Sequence, residues 1–461
     1  MKQNEKKLFI LIILLTSLLI SCKKELKYKR PDFNVILILI DTVRADHLPF
    51  YGYKLNTAPN LSIFSTEGIL FKHFYSNTPS TKPSISSLFT SSYPSQHKCI
   101  QNEDILNSKL ITIAEILKKN NYYSVGVSDN YLISEKFNFN QGFNIWKNTN
   151  RNERSEFNGA NRVNKIIFEE IEKIEKKPFF LYLHYLDPHE PYRVPTPFYK
   201  NFNTNYIGKV TGDLHLGYSE KSGYPSLNYF KTNSSELEQL KLFYDNCIYY
   251  CDNQIGILFD KLKEKNIYDN SIIVILADHG EMFLEHGYFE HSNGLYSELI
   301  NVPLIIRIPG LDNIILDEYI QTIDIFPTIL DILNIKTDST FMGDSIFKIV
   351  KKQNRPILSE HLRLNCINPQ ISLILNNFKI IENLQEKNVI DKKNKYELFD
   401  IISDNFEINN IFYKTSNADK LLKQFYLFRR EKNKYFKNID IETTDIDQIT
   451  YRHLKSLGYI K

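Results

Sequence analysis

The segment Asn34-Val35-Ile36-Leu37-Ile38-Leu39-Ile40 constrains this chain more than any other. Six consecutive aliphatic residues leave no polar face for water. A strand built from them has to be covered on both sides, as strands inside a mostly parallel sheet are. Comparable runs recur at Tyr122–Val127, Phe179–His184, Ile272–Ala277 and Pro303–Ile308, and helical spacing of apolar residues separates them over Ser108–Lys119, Ala160–Lys176 and Ser235–Lys265. This alternation predicts an α/β fold with helices on both faces of the sheet. Ligands in such sheets gather at the carboxyl ends of the strands. Three of those ends carry Asp or His: Asp41 after the first run, Asp187-Pro188-His189 after Phe179–His184, and Asp278-His279-Gly280-Glu281 after Ile272–Ala277.

With 461 residues, 42% hydrophobic and 24% charged, the chain has material for one large domain and a smaller one, which excludes a disordered or fibrous class. The catalytic body is expected over 34–335. From 336 to 461 shorter, polar-interrupted segments predict a smaller C-terminal subdomain. The net charge of +3 is spread along the chain, so nucleic acid is not an expected partner. At the start, Lys2, Lys6 and Lys7 precede an apolar run from Leu8 to Leu15 and then Leu19-Ile20-Ser21-Cys22. This predicts an export signal peptide over 1–22, since the apolar core is short of the ~20 residues a bilayer requires. The segment resembles the bacterial lipobox, which implies a lipidated Cys22, a linker over 23–33, and a protein held in the cell envelope outside the cytoplasm, periplasmic or on the outer surface. An uncleaved N-terminal membrane anchor is the alternative. Cys99, Cys247, Cys251 and Cys366 show no metal-type pairing and are read as buried small hydrophobes.

A divalent cation needs several oxygen ligands, with an imidazole tolerated, on rigid elements. Asp41, Asp278 and His279 offer those atoms at two strand ends. Further motifs run in a fixed order: Ile40–Leu48 with Tyr51-Gly52-Tyr53; Thr81-Lys82-Pro83-Ser84 leading to Ser87-Leu88-Phe89-Thr90; and His184–Tyr192. Then come Asp278–Glu281 with Glu285-His286-Gly287, Val302-Pro303-Leu304, Phe326-Pro327-Thr328 and Glu397-Leu398-Phe399-Asp400. Through these the chain resembles the sulfatase-like branch of the alkaline phosphatase superfamily over about 34–411, and the closing Leu457-Gly458-Tyr459 is similar to the tails of many members.

The resemblance implies an alkaline-phosphatase-like α/β/α sandwich with a mostly parallel central sheet and a smaller C-terminal α+β subdomain. It also implies a metal-dependent hydrolase or transferase of sulfate or phosphate esters. Thr81 falls where sulfatases carry the Cys or Ser that becomes formylglycine, and Ile85 falls where they carry arginine. Threonine cannot be converted in that way, so Thr81 is expected to act as the nucleophile itself, its hydroxyl activated by the cation and its charge development favoured by a helix N-terminus. That use of threonine favours a phosphoester or phosphonate; a genuine sulfuric ester hydrolase and an inactive lipid-anchored binding protein are the rival readings. By the same resemblance Asp41, Thr81, Asp278 and His279 hold one divalent cation (Ca, Mg, Mn or Zn), while Thr42 replaces the adjacent Asp of many sulfatases. His189 contacts the ester oxygens, and His291 replaces a lysine that faces the leaving group, as a general acid. Asn130 and Lys82 are further candidate substrate contacts. Asp187 and His189 joining His291 around a second cation is an alternative. Arg44 with Asp46 reads as a buried ion pair and His286 as structural. The expected substrates are sulfated or phosphorylated glycans, glycolipids or lipid headgroups.

Overall fold

The computed structural model describes residues 32–149, 159–174, 178–202, 210, 212, 233–351, 355–364, 366, 368–384, 395–433 and 439–456. The predicted signal peptide, Cys22, most of the linker and Leu457-Gly458-Tyr459 lie outside the described residues. Among the described residues no helix is long and apolar enough to cross a membrane.

In chain order the strands of the body are β1 (Asn34–Ile40), β2 (Ile69–Tyr75), β3 (Tyr123–Ser128), β4 (Ile145–Asn148), β5 (Phe179–Tyr185), β6 (Ser271–Ala277), β7 (Met282–Phe283), β8 (Phe289–Glu290), β9 (Leu304–Arg307) and β10 (Ile314–Gln321). Eight of them form one sheet in the order β10-β2-β9-β6-β1-β5-β3-β4, and β7 pairs with β8 in a separate hairpin. Only β9 runs against the others. Every residue of β1 is buried, as its unbroken aliphatic run requires. Its register is decisive for the site: Ile40 lies level with Tyr185 of β5 and with Ala277 of β6. The residues that follow these three strands therefore emerge side by side, and the backbone N–H of Asp41 donates to Tyr185 O at 2.9 Å.

Three strands of the eight-stranded sheet escaped the sequence reading. Lys72-His73 interrupts β2 and Asp317-Glu318 interrupts β10 because these residues face outward near the sheet edge, and the short β4 follows a loop. The helix expected from Ser108 begins only at Ile113, because Thr112 caps it: the Thr112 hydroxyl accepts from Glu115 N at 3.2 Å, and Glu115 Oε2 accepts from Thr112 N at 2.9 Å. The other two expected helices are found at Gly159–Ile171 and Ser234–Glu264.

The C-terminal part is a four-stranded antiparallel sheet of β11 (Ile357–His361), β12 (Gln370–Leu375), β13 (Phe378–Asn383) and β14 (Tyr396–Asp400). Helix Ala418–Asn433 packs on one face through Leu421 and Phe425. The other face meets the body through Ile357, Ile374, Ile381 and Phe399 against Tyr296, Leu299 and Ile300.

Candidate active site

Asp41, Asp278 and His279 are fully buried, and one ligand-capable atom from each falls within 4.8 Å of the others. Half of each carboxylate is already engaged. Asp41 Oδ2 accepts from Asn130 Nδ2 at 3.1 Å and faces His184 Nε2 at 3.0 Å; Asp278 Oδ1 accepts from the backbone N–H groups of Thr42 at 3.2 Å and His279 at 3.0 Å. The remaining oxygens, Asp41 Oδ1 and Asp278 Oδ2, are buried without a hydrogen-bond partner. His279 Nδ1 lies 3.0 Å from Gly280 O, an acceptor only, so a neutral His279 donates there and turns the Nε2 lone pair inward. Nε2 stands 3.4 Å from Asp278 Oδ2 and 3.7 Å from Asp41 Oδ1. Two carboxylate oxygens and an imidazole lone pair converging in a dry interior repel one another, and a divalent cation among them removes the repulsion. The donor set thus fits the cation that the sequence implied.

Protonation reflects the same crowding. Burial, followed by the charge of Asp41, pushes Asp278 up to about 6. Burial also pushes Asp41 upward, but the hydrogen bond from His184 and the charges of His189, His184 and His279 outweigh it and lower Asp41 to about 2. The backbone is strained here too: Thr42, a β-branched residue, has φ +58°. That conformation aims its N–H at Asp278, while its hydroxyl donates back to Asp41 O at 2.8 Å and Tyr244 OH donates to its carbonyl at 2.7 Å. The Thr42 side chain therefore does not face the carboxylates.

Thr81 is the first residue of helix Thr81–Thr90, whose ten residues are all buried. Its Oγ1 lies 3.1 Å from His279 Nε2, and Ser84 of the same helix donates to Asp278 O at 2.9 Å. The helix thus presents its first turn of N–H groups and the positive end of its dipole beside Thr81. Ile85 is buried in the apolar core. Two more histidines complete the wall. The His291 ring stacks on His279 at 4.6 Å between centroids and meets His189 edge-on at 4.9 Å; its Nδ1 is 3.3 Å from Glu281 Oε1. His189 Nδ1 donates to Glu190 O at 2.7 Å. Burial, with the charges of His279, His189 and Arg363, holds His291 well below the usual imidazole range.

Six of the residues singled out in the sequence are thus brought together: Asp41, Thr81, Asp278, His279, His189 and His291. Two are redirected. Asn130 gives its amide to Asp41 and accepts from Leu132 N at 3.0 Å, so it orients a carboxylate instead of reaching a substrate. Lys82, one residue and about 100° around the helix from Thr81, buries its ammonium against Asn102 O at 2.6 Å, Asp104 O at 2.9 Å and the ring of Phe137 at 3.5 Å. It is not a substrate contact. Burial lowers Lys82 to about 8 from the usual 10.5, so the unfolded chain holds the extra proton between those values and stability rises with pH across that window. Lys82→Met is expected to flatten that rise and to leave KM unchanged, which urea midpoints from pH 7 to 10.5 and initial rates would check.

Asp187 Oδ2 accepts from Ala160 N at 2.7 Å, and among the described residues Asp41, Asp278 and His279 are the only group with metal-ligand spacing, so the two-cation arrangement gains no geometric support. Arg44 is buried and pairs with Asp46 at 2.7 Å and Glu285 at 2.6 Å, but the Asp46 side chain is 54% exposed, so the pair expected to be buried reaches the surface; His286 stacks on Tyr296 at 3.7 Å. Sequence reasoning overlooked His184, Glu281 and Arg363 as site residues. The first was legible as the one histidine in the apolar run of β5, and the second as the last residue of Asp-His-Gly-Glu. Arg363 follows β11 with no local signal, and only the packing of the second sheet brings its charge to bear on His291.

The chain is similar to several known proteins. An arylsulfatase of Clostridium perfringens is 24% identical over 380 residues, covering 70% of this chain and 79% of its own. An N-acetylglucosamine-6-O-sulfatase of Bacteroides thetaiotaomicron is 23% identical, covering 95% and 92%. A structure solved with its substrate D-glucosamine-2-N,6-O-disulfate superposes with a TM-score of 0.73 at 20% identity, over 88% of this chain and 98% of the other. The phosphonate monoester hydrolase of Agrobacterium radiobacter superposes with a TM-score of 0.70 at 17% identity, over 90% and 100%. These likenesses show the alkaline-phosphatase-like fold with its separate C-terminal sheet. The profile of N-sulphoglucosamine sulphohydrolase, C-terminal, matches residues 284–433. Since the sulfatase profile matches residues 33–335, well over half of the chain, the protein belongs to the sulfatase family.

Proposed function

We propose that the protein is a metal-dependent ester hydrolase or transferase in which Thr81 is the nucleophile and a phosphoester or phosphonate is the preferred substrate. The observation that carries this reading is Thr81 Oγ1 at 3.1 Å from His279 Nε2, beside two carboxylate oxygens without partners. Asp41, Asp278, His279 and Thr81 would hold the cation, which when bound would lower the pKa of the Thr81 hydroxyl and offset charge on the ester oxygens. Thr81 Oγ1 then bonds to phosphorus or sulfur as the bond to the leaving oxygen breaks. The N–H groups at the start of helix Thr81–Thr90 receive the anionic oxygens, with His189 beside them. His291, neutral in the buried site, takes the proton released by the Thr81 hydroxyl and passes it to the leaving oxygen, then takes another from the water or alcohol that releases the group and returns it to Thr81.

Thr81 cannot become formylglycine and Ile85 is an uncharged core residue, so a sulfate ester is the less favoured substrate. Sulfuric ester hydrolysis remains the second reading because the curated relatives bear sulfatase names. One similar structure was solved with D-glucosamine-2-N,6-O-disulfate, another is a 2-O GAG sulfatase and a third holds k-i-k-neocarrahexaose, which supports a sulfated or phosphorylated glycan, or a glycolipid, as the body of the substrate. The lipobox-like Leu19–Cys22 would tether this site in the cell envelope outside the cytoplasm, within reach of lipid headgroups.

The test is a panel of aryl phosphate monoesters, diesters, phosphonates and sulfates, each with Mn, Mg, Ca or Zn. Phosphorus esters turning over faster than the sulfate, with rates abolished by EDTA, are expected. A sulfate preference would establish the second reading, and tight cation binding without turnover of any ester would point to a binding protein.

A further inference from the structure

The segment from His291 to Ser297 leaves the catalytic body and is gripped by the second sheet, residue by residue. Asn368 Nδ2 donates to Asn293 O at 3.0 Å, Leu295 N donates to Gln370 Oε1 at 2.8 Å, and Tyr296 OH donates to Glu397 Oε2 at 2.9 Å. Ser297 gives both its N–H, at 3.1 Å, and its hydroxyl, at 2.6 Å, to the carboxylate of Glu407. Behind this row the receiving groups are themselves fixed. Asn383 ties Gln370 to Glu397 through contacts of 2.7 and 2.8 Å, and the fully buried Lys379 holds both oxygens of Glu407 at 2.8 and 3.0 Å. At its other end the segment is latched to the nucleophile helix: Ser292 N donates to Pro79 O at 3.0 Å, and the hydroxyls of Ser292 and Ser80 are 2.6 Å apart.

Such a row of one donor and three acceptors exceeds what mere docking of two domains requires. Apolar contact already joins the two sheets through Ile357, Ile374, Ile381 and Phe399. A polar network whose members hold one another adds a specific geometry, since moving one group unpairs its neighbours. Here the geometry it specifies is that of the six residues 292–297 that directly follow His291. A displaced proton donor costs rate steeply, because transfer depends on distance and angle.

We propose that Gln370, Glu397 and Glu407 are positioning residues of the reaction, acting through the segment 292–297 to set His291 against the leaving oxygen. This rests on the role given to His291 above. It makes the C-terminal sheet a working part of the site.

The experiment uses the full chain with the activating cation and aryl esters of graded leaving-group pKa. Gln370→Leu removes the acceptor of Leu295 N at equal bulk, and Ser297→Ala removes one contact with Glu407 while Lys379 keeps that carboxylate paired. Both are expected to lower kcat about tenfold for poor leaving groups and less than about twofold for good ones. KM and cation affinity stay constant, and Gln370→Glu, which keeps the oxygen, restores part of the rate. In a His291→Ala background the same changes add nothing. Amide exchange of Leu295 quickens in Gln370→Leu. An equal loss for every leaving group, or full additivity with His291→Ala, overturns the proposal while leaving the function intact. A chain that turns over none of the esters refutes the function itself, and unchanged exchange at Leu295 refutes the positioning independently of activity.

Discussion

Thr81→Ala is expected to lower kcat by roughly a thousandfold or more, because among the described residues no other hydroxyl at the start of helix Thr81–Thr90 is in contact with His279. Cation affinity should fall much less, since Asp41, Asp278 and His279 remain. Thr81→Ser keeps the oxygen at the first helical position and should retain measurable turnover. The decisive readout is a single-turnover experiment on a phosphorus-labelled ester: the unmodified chain acquires the label at Thr81, and the alanine variant does not. Full activity in Thr81→Ala would remove the threonine from the mechanism. The neighbouring Ser80 and Ser84 offer little substitution, as Ser80 is engaged with Ser292 and Ser84 with Asp278 O.

Asp278→Asn carries the second large effect, and it has two opposite signs. Loss of a carboxylate from the converging set should weaken cation binding by about a hundredfold or more, given that even outer partners of metal ligands contribute 10–100-fold. The same substitution should stabilise the cation-free protein. Asp278 titrates near 6 when folded against 3.8 ordinarily, so between those values the folded state keeps a proton that the unfolded state has released. Cation-free stability therefore falls as pH rises from about 4 to 6. Asp41, lowered to about 2, acts in the opposite sense and adds stability as pH rises from there to 3.8. In EDTA the urea midpoint should peak near pH 4 and decline toward 6; saturating cation should abolish the decline, adding about 2.7 kcal/mol at a hundred times Kd. Asp278→Asn should lose both the decline and the response to cation. A variant that binds cation as tightly as the unmodified chain would place the ion elsewhere.

How legible these features were depends on their range along the chain. The buried strands could be read because an unbroken aliphatic run has one stable environment, whereas β2 and β10 could not, since Lys72 and Asp317 face water at the sheet margin. The candidate ligand set was legible through the register rule: residues after parallel strands share one edge, so Asp41 and Asp278 had to be neighbours once β1 and β6 were adjacent. Lys82 and Asn130 were misread because a candidate's nearness in sequence says nothing of the direction of its side chain. On a helix the next residue points elsewhere, and Lys82 points into carbonyls of a distant loop.

By itself the sequence determined the α/β class, the buried strands, the strand ends that carry Asp and His, and the threonine in place of a convertible residue, since each of these is local chemistry or short-range periodicity. Tertiary structure alone decided that Asp41 Oδ1, Asp278 Oδ2 and His279 Nε2 converge, that Asn130 and Lys82 turn away, and that a row of polar groups from 368 to 407 grips the segment behind His291. These are contacts between residues tens to hundreds of positions apart, and only the packing of one sheet against the other sets their distance and direction.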